Sequence, residues 1–234
     1  MTIIAHFVRP VAEGKRPAVI ALHGCGGPLS RNGGLSRRHM DWGLRLSGLG
    51  YAVVFPNSFG SRGHGPLCRA RPRPVKQSQR AKDVFAAYDW LIKQPFVDPK
   101  RIALLGWSNG AGTVLRVATL PQARVLKTAI AFYPSCKFML SQTSRTPKIP
   151  ISILIGESDD WTPAQPCVEL SKKWTSPIHV YPGAYHGFDT PNSKLRVRKG
   201  VAFSANGSGE VHVGTNPAAR DAAIKEVERL LGKI

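Results

Sequence analysis

The sequence predicts an α/β fold in which a mostly parallel central sheet is flanked by helices on both faces. Short, uniformly apolar runs alternate along the chain with segments of helical period. The apolar runs show no in–out alternation, so each fits a strand covered on both sides. The third observation is size: 234 residues, 42% of them hydrophobic and 20% charged, suit one domain over 1–234. No internal repeat and no linker-like stretch divides it.

PAVIALHG (17–24) is the first long buried strand, and the glycine-rich HGCGGPLSRNGG follows as a loop. Residues 36–49 carry Met40, Leu44 and Trp42, Leu46, Leu49 at helical spacings, and Gly50 suits the left-handed position after a helix end. YAVVFP (51–56) is the next strand. The stretch 57–77, rich in Gly, Pro, Ser and Arg, reads as a long loop. Helical period returns over 79–93 with Val84, Tyr88, Leu91 and Ile92. RIALLGW (101–107) is a strand and Asn109 to Leu120 a helix. TAIAFYP (128–134), PISILIG (150–156) and IHVYPG (178–183) are strands, with QPCVELSKKW (165–174) a helix between the last two. The final helix opens near Pro217 and carries Ile224, Val227, Leu230 and Leu231.

Composition narrows the function. No apolar run approaches the roughly 20 residues of a membrane span, and MTIIAHFVRPVAEGKRP lacks the pattern of a signal peptide. The cytoplasm is therefore the expected compartment, with an exported mature form as the alternative. Cys25, Cys68, Cys136 and Cys167 form no C-x-x-C and no zinc spacing, so no metal is expected. Four reduced thiols are the expectation, with Cys68–Cys136 the first pairing to test in an exported form. No phosphate-loop or dinucleotide motif is present, so no cofactor is expected. The formal charge is +19, concentrated in RARPRPVKQSQRAK (69–82) and KLRVRK (194–199). Without a recognition helix or aromatic RNA motif, these runs read as solvated basic surface able to attract anionic substrates, not as a specific nucleic-acid site. Oligomeric state is not legible.

The chemistry concentrates at GWSNG (106–110). Chance produces G-x-S-x-G in about one chain in six of this composition, so its context decides. The motif ends a buried strand and opens a helix, the sharp turn on which a serine hydroxyl stands exposed beside a helix N-terminus. Ser108 is the candidate nucleophile. Such a serine needs a base, and the base an orienting acid, in the chain order Ser, Asp or Glu, His. ESDDWTP follows one later strand and AYHGFD the next. His186 is the base candidate. The acid is Asp159 or Asp160; Asp-x-x-x-Pro ending at Pro163 favours Asp159, leaving Asp160 to face solvent or cap a helix. The expected oxyanion donors are the backbone N–H groups of Asn109 and of Cys25, with Gly24 or Gly26 as alternatives. Trp107, Trp161, Tyr185 and Phe188 are candidates to line an apolar acyl pocket, and Arg62 to bind a substrate carboxylate.

LHGCGG (22–27), GYAVVFPNSFGSRG (50–63), QPFVDPKRIALLGWSNGAG (94–112), AIAFYP (129–134), GESDDWTP (156–163) and YHGFD (185–189) together resemble the dienelactone hydrolase-like branch of the α/β-hydrolase fold. The resemblance implies Ser108, Asp159 and His186 as a catalytic triad, with Cys25 and Asn109 forming the oxyanion hole. The hydrolases that name this family use a cysteine nucleophile and a glutamate near the oxyanion loop. Here a serine stands in the first place, and HGCGG has no acid. That departure points to a serine esterase acting on another small carboxylic ester or lactone. A peptidase or acyltransferase would use the same triad, and a non-catalytic anion-binding protein would need none of it.

Overall fold

The computed structural model describes residues 2–10 and 13–234. Its main sheet has seven strands in the order β1-β3-β2-β4-β5-β6-β7. They are β1 (Ala5–Val8), β2 (Arg16–Leu22), β3 (Ala52–Pro56), β4 (Val97–Trp107), β5 (Thr128–Phe132), β6 (Ile151–Gly156) and β7 (Ile178–Tyr181). All neighbours run parallel except the edge strand β1, which pairs antiparallel with β3. β1 escapes a pattern reading because AHFV is short and half-exposed. β4 starts earlier than the run RIALLGW suggests, because Val97 pairs with Arg16 across a register shift.

The helices are α1 (Arg37–Gly48), α2 (Gln77–Leu91), α3 (Asn109–Ala118), α4 (Lys137–Leu140), α5 (Gln165–Trp174) and α6 (Pro217–Leu231). With right-handed crossovers, α1 covers one face and α2, α3 and α5 the other. α6 joins α1, tied by Arg220 Nη2, which donates to both carboxylate oxygens of Asp41. Trp42 and Leu46 bury the inner side of α1, and Val227 and Leu231 that of α6.

The chain moves from β2 to β3 in one direction across the sheet, then from β4 to β7 in the other. β2 and β4 are neighbours, so the topology switches between them. A crevice opens there at the carboxyl ends of the strands, the place where open α/β sheets bind ligands. The loop after β2 carries Cys25, and the turn after β4 carries Ser108.

One element was hidden in a basic run. KLRVRK contributes β8 (Arg196–Lys199), which pairs antiparallel with β9 (Glu210–Val213) in a separate hairpin. Val211 and Val201 turn inward there, against Trp161 and a disulfide. The intervening ANGSG carried a turn signal that the density of positive charge obscured.

The cysteines correct both sequence expectations. They form two disulfides, Cys25–Cys68 and Cys136–Cys167, and neither four reduced thiols nor Cys68–Cys136. The long loop folds back on the glycine loop, where the Leu67 N–H donates to the Cys25 carbonyl at 2.8 Å, and so brings Cys68 to Cys25. The segment after β5 instead faces the first turn of α5. The bridges close segments of 43 and 31 residues. Loop-closure entropy puts the stabilisation from each at about 4 kcal/mol. Alkylation of denatured, unreduced protein is expected to find no free thiol. Loss of either bridge should lower Tm by on the order of 10 °C by calorimetry.

Candidate active site

Ser108 sits between β4 and α3 with φ 53° and ψ −115°, a conformation that is costly for any residue with a side chain. Two close approaches enforce it. A Cβ on Gly110 would lie 2.2 Å from the Leu22 carbonyl oxygen, and one on Gly106 would lie 2.8 Å from Gly110 and Val114. The two glycines of GWSNG are therefore packing requirements of the turn.

Ser108 Oγ lies 3.0 Å from His186 Nε2, and His186 Nδ1 lies 2.8 Å from Asp159 Oδ2. Asp159 and His186 are buried, at 3% and 4% exposure. The other oxygen of Asp159 accepts the Trp161 and Thr162 backbone N–H groups at 2.9 and 2.8 Å, fixing the carboxylate. A carboxylate accepting from Nδ1–H leaves Nε2 as the acceptor facing the serine hydroxyl. The imidazole is held between Tyr133 and Trp161, with ring centroids 4.5 and 4.7 Å away. Asp160 neither caps a helix nor stands free. It accepts from the His212 backbone N–H at 2.9 Å and sits 2.7 Å from His212 Nδ1, fastening the β8–β9 hairpin beside the site.

The backbone N–H groups of Cys25 and Asn109 flank Ser108 and have no internal acceptor among the described residues. Behind them lies Arg80, fully buried, which donates to the Asn109 side chain and, at 2.7 Å, to the His23 carbonyl. His23 Nδ1 donates to the Gly24 carbonyl at 2.7 Å. These contacts tie together the loop after β2 and the turn after β4. Sequence reasoning missed Arg80, which looked like one more cation in a basic run.

A second buried group was also missed. Asp189, of YHGFD, accepts from Trp42 Nε1 and Trp107 Nε1, each at 2.8 Å, and from the Tyr133 hydroxyl at 2.6 Å. Burial raises the Tyr133 pKa well above the usual phenol range, so the hydroxyl stays a donor. Trp107 therefore does not line a substrate pocket: it is fully buried, its indole committed to Asp189. Phe188 is likewise core. Tyr185 packs at a tilt against His212, ring centroids 4.8 Å apart, and does not border the cleft. Arg62 makes a bidentate pair with Asp83 at 2.8 and 2.9 Å and also donates to the Ser58 carbonyl, so it is not free for a substrate carboxylate. Trp161 alone of the predicted substrate contacts borders the Ser108 cleft. The cations that do so are Arg38, Arg196 and Arg198 on one side and Arg73 on the other. Among the described residues, no group of His, Cys, Asp and Glu is arranged to hold a metal ion.

The sequence model of the dienelactone hydrolase family matches residues 3–234. The chain belongs to the dienelactone hydrolase family. An uncharacterized protein of Mycobacterium tuberculosis (strain H37Rv) is 30% identical over 193 residues, or 74% of this chain. The chain spans 64% of that relative's length. A Bradyrhizobium protein described as a 2-oxo-3-(5-oxofuran-2-ylidene)propanoate lactonase is 25% identical, covering 79% of this chain and 78% of its own. A solved Klebsiella pneumoniae structure described as a dienelactone hydrolase superposes over the whole of both chains with TM-score 0.74 at 17% identity, showing the same α/β-hydrolase fold.

Two buried histidines, His39 and His23, are expected to make the fold acid-sensitive. Burial pushes His39 down to about 3, with the Arg38 charge adding to it, and burial pushes His23 well below its usual range. Both stay neutral in the folded protein, whereas the unfolded chain takes up a proton at each below about pH 6.5. The unfolded state then binds more protons, so this stability is present above pH 6.5 and is lost as pH falls toward the folded values. Each group adds a slope of up to about 1.4 kcal/mol per pH unit. His39→Phe retains a ring against Phe55 and Trp107. Urea unfolding at pH 7, 5.5 and 4.5 should show a shallower acid decline in this variant than in wild type.

Proposed function

We propose that this family member is a serine hydrolase of small carboxylic esters or lactones, with Ser108 as nucleophile, His186 as base and Asp159 as the orienting acid. The observation that carries this reading is the unbroken line from Ser108 Oγ to His186 Nε2 at 3.0 Å and from His186 Nδ1 to Asp159 at 2.8 Å. His186 Nε2 takes the hydroxyl proton as Ser108 Oγ attacks the ester carbonyl. The carbonyl oxygen becomes an oxyanion facing the N–H groups of Asn109 and Cys25. Donors held in place beforehand are worth about 3–4 kcal/mol each to such a step. The tetrahedral adduct collapses, and the imidazolium passes its proton to the departing alcohol. Water, deprotonated by His186, then releases the acid and restores Ser108. Asp159 keeps Nδ1 protonated and stabilises the charged imidazole throughout. The lactonase description of the Bradyrhizobium relative supports a cyclic ester among the substrates. The two disulfides favour an oxidising compartment as the place of work.

A fluorophosphonate probe and p-nitrophenyl acetate test the assignment together. Ser108→Ala is expected to lose labelling and to lower turnover by on the order of 10⁴-fold or more. Asp159→Asn should lower kcat by on the order of 10³–10⁴-fold. Asp160→Asn should stay within about fivefold, as expected for a half-exposed pair away from the reacting atoms. Equal losses in the two aspartate variants, or labelling that survives Ser108→Ala, would sink the reading.

A further inference from the structure

The proposed nucleophile stands where two arms of one cleft meet, and Trp161 borders both. The first arm, of about 230 Å³, is bordered by Cys25, His186, Arg38, Arg196 and Arg198. The second, of about 190 Å³, is bordered by Asn109, Arg73, Phe138 and Phe203. Beyond it, sharing Trp161, Thr162 and Phe203, lies a further hollow of about 310 Å³ with Arg71 and Lys137 on its rim. Among the described residues, no carboxylate borders any of the three.

Of the cations at the first arm, Arg38 is already committed to Asp189, 3.3 Å away. Arg62, Arg101, Arg220 and Arg229 each take a carboxylate partner. Among the described residues, Arg71, Arg73, Arg196, Arg198 and Lys137 take none. Three of them are held against aromatic rings. The Arg198 guanidinium lies over Trp161, 5.3 Å from its centroid, and those of Arg73 and Arg71 lie over Phe203 at 4.7 and 5.5 Å. Each aromatic platform holds its cations on one side of Ser108. Partial burial lowers the pKa of both Arg73 and Arg198, and for Arg198 the charges of Arg196, Arg69 and Arg38 add to the effect. Half-desolvated, mutually repelling guanidinium groups are stabilised when an anion arrives between them.

We infer that the preferred substrate is an ester joining two acidic units, with one carboxylate on the alcohol side of the scissile bond and one on the acyl side. Direction follows from the proton. The departing alcohol takes its proton from His186, which borders the first arm, so the alcohol half lies toward Arg196 and Arg198. The acyl half extends past Asn109 into the second arm, toward Arg73 and then Arg71. The planar forks of arginine match carboxylates bidentately. This inference rests on the serine-hydrolase reading for the bond that breaks, and on the cleft's charges for the choice of substrate.

Four phenyl esters separate the contributions: phenyl butyrate, the monophenyl ester of glutaric acid, 4-butyryloxybenzoate, and the glutaric monoester of 4-hydroxybenzoate. Each carboxylate is expected to raise kcat/KM about tenfold to thirtyfold, the two gains multiplying, and both should shrink from 20 to 300 mM salt. Arg198→Gln should lower the preference for the benzoate carboxylate within the same variant. Arg73→Gln should lower the preference for the glutarate carboxylate. Ratios within one variant cancel any general loss of activity. Lys172→Gln, on the exposed side of α5, controls for net charge and should leave both preferences as in wild type. Calorimetric binding of the same esters to Ser108→Ala gives a readout that needs no turnover. Equal kcat/KM and equal affinity for neutral and diacid esters would overturn the inference, as would a preference that both arginine variants retain. Tight binding of the diacid ester to Ser108→Ala with no ester hydrolysed by wild type would support the cleft's preference and sink the hydrolase reading instead.

Discussion

The buried carboxylate of Asp189 is the interaction on which the site's architecture depends. It collects hydrogen bonds from Trp42 on α1, Trp107 at the end of β4 and Tyr133 at the end of β5. Trp107 is the residue before Ser108, Tyr133 packs on the His186 ring, and Asp189 itself lies three residues after His186. One acceptor thus ties the serine turn and the histidine loop to the same point in the core. A buried carboxylate is expensive unless every lone pair is used, and three donors with the nearby Arg38 guanidinium meet that condition. Removing it would strand three buried donors as well as freeing a loop.

The sheet topology supplies the second constraint. Because the strand order reverses between β2 and β4, their two loops open beside one another. Gly110 lets α3 start directly against the β2 end, where a Cβ would collide with the Leu22 carbonyl. Arg80 and His23 then hold the two loops in register by hydrogen bonds to main-chain and side-chain oxygens. The proposed oxyanion donors inherit their positions from this packing, not from the flexibility of a glycine-rich loop. Cys25 is fixed twice, through its backbone and through its bridge to Cys68.

The rim over the sheet is built differently from the core beneath it. Its stability comes from two disulfides, an aspartate–histidine pair and arginines stacked on aromatic rings. Few apolar side chains are available there, since the rim must stay open to a substrate. The disulfides fasten loops after β2, β3 and β5 and the first turn of α5, so the oxidised state secures the walls of the cleft while the parallel sheet secures its floor.

Much of this molecule was legible in its sequence. Apolar runs bounded by turn residues located six strands of the main sheet, and the segments between them, read as helices from spacing or position, match every α-helix longer than four residues among the described residues. Both are local signals, set by burial on two faces or on one. The order Ser108, Asp159, His186 was legible for the same reason, since each follows a strand whose end can be recognised. Tertiary structure alone decided what depends on two distant segments meeting. It paired Cys25 with Cys68, gave Arg62 to Asp83 and Asp160 to His212, buried Trp107 and Phe188, turned a basic run into the β8–β9 hairpin, and set unpaired arginines around Ser108. A residue's pattern reports how its own segment faces the core. Its partner depends on which loops the crossovers bring together, and no periodicity within one segment carries that information.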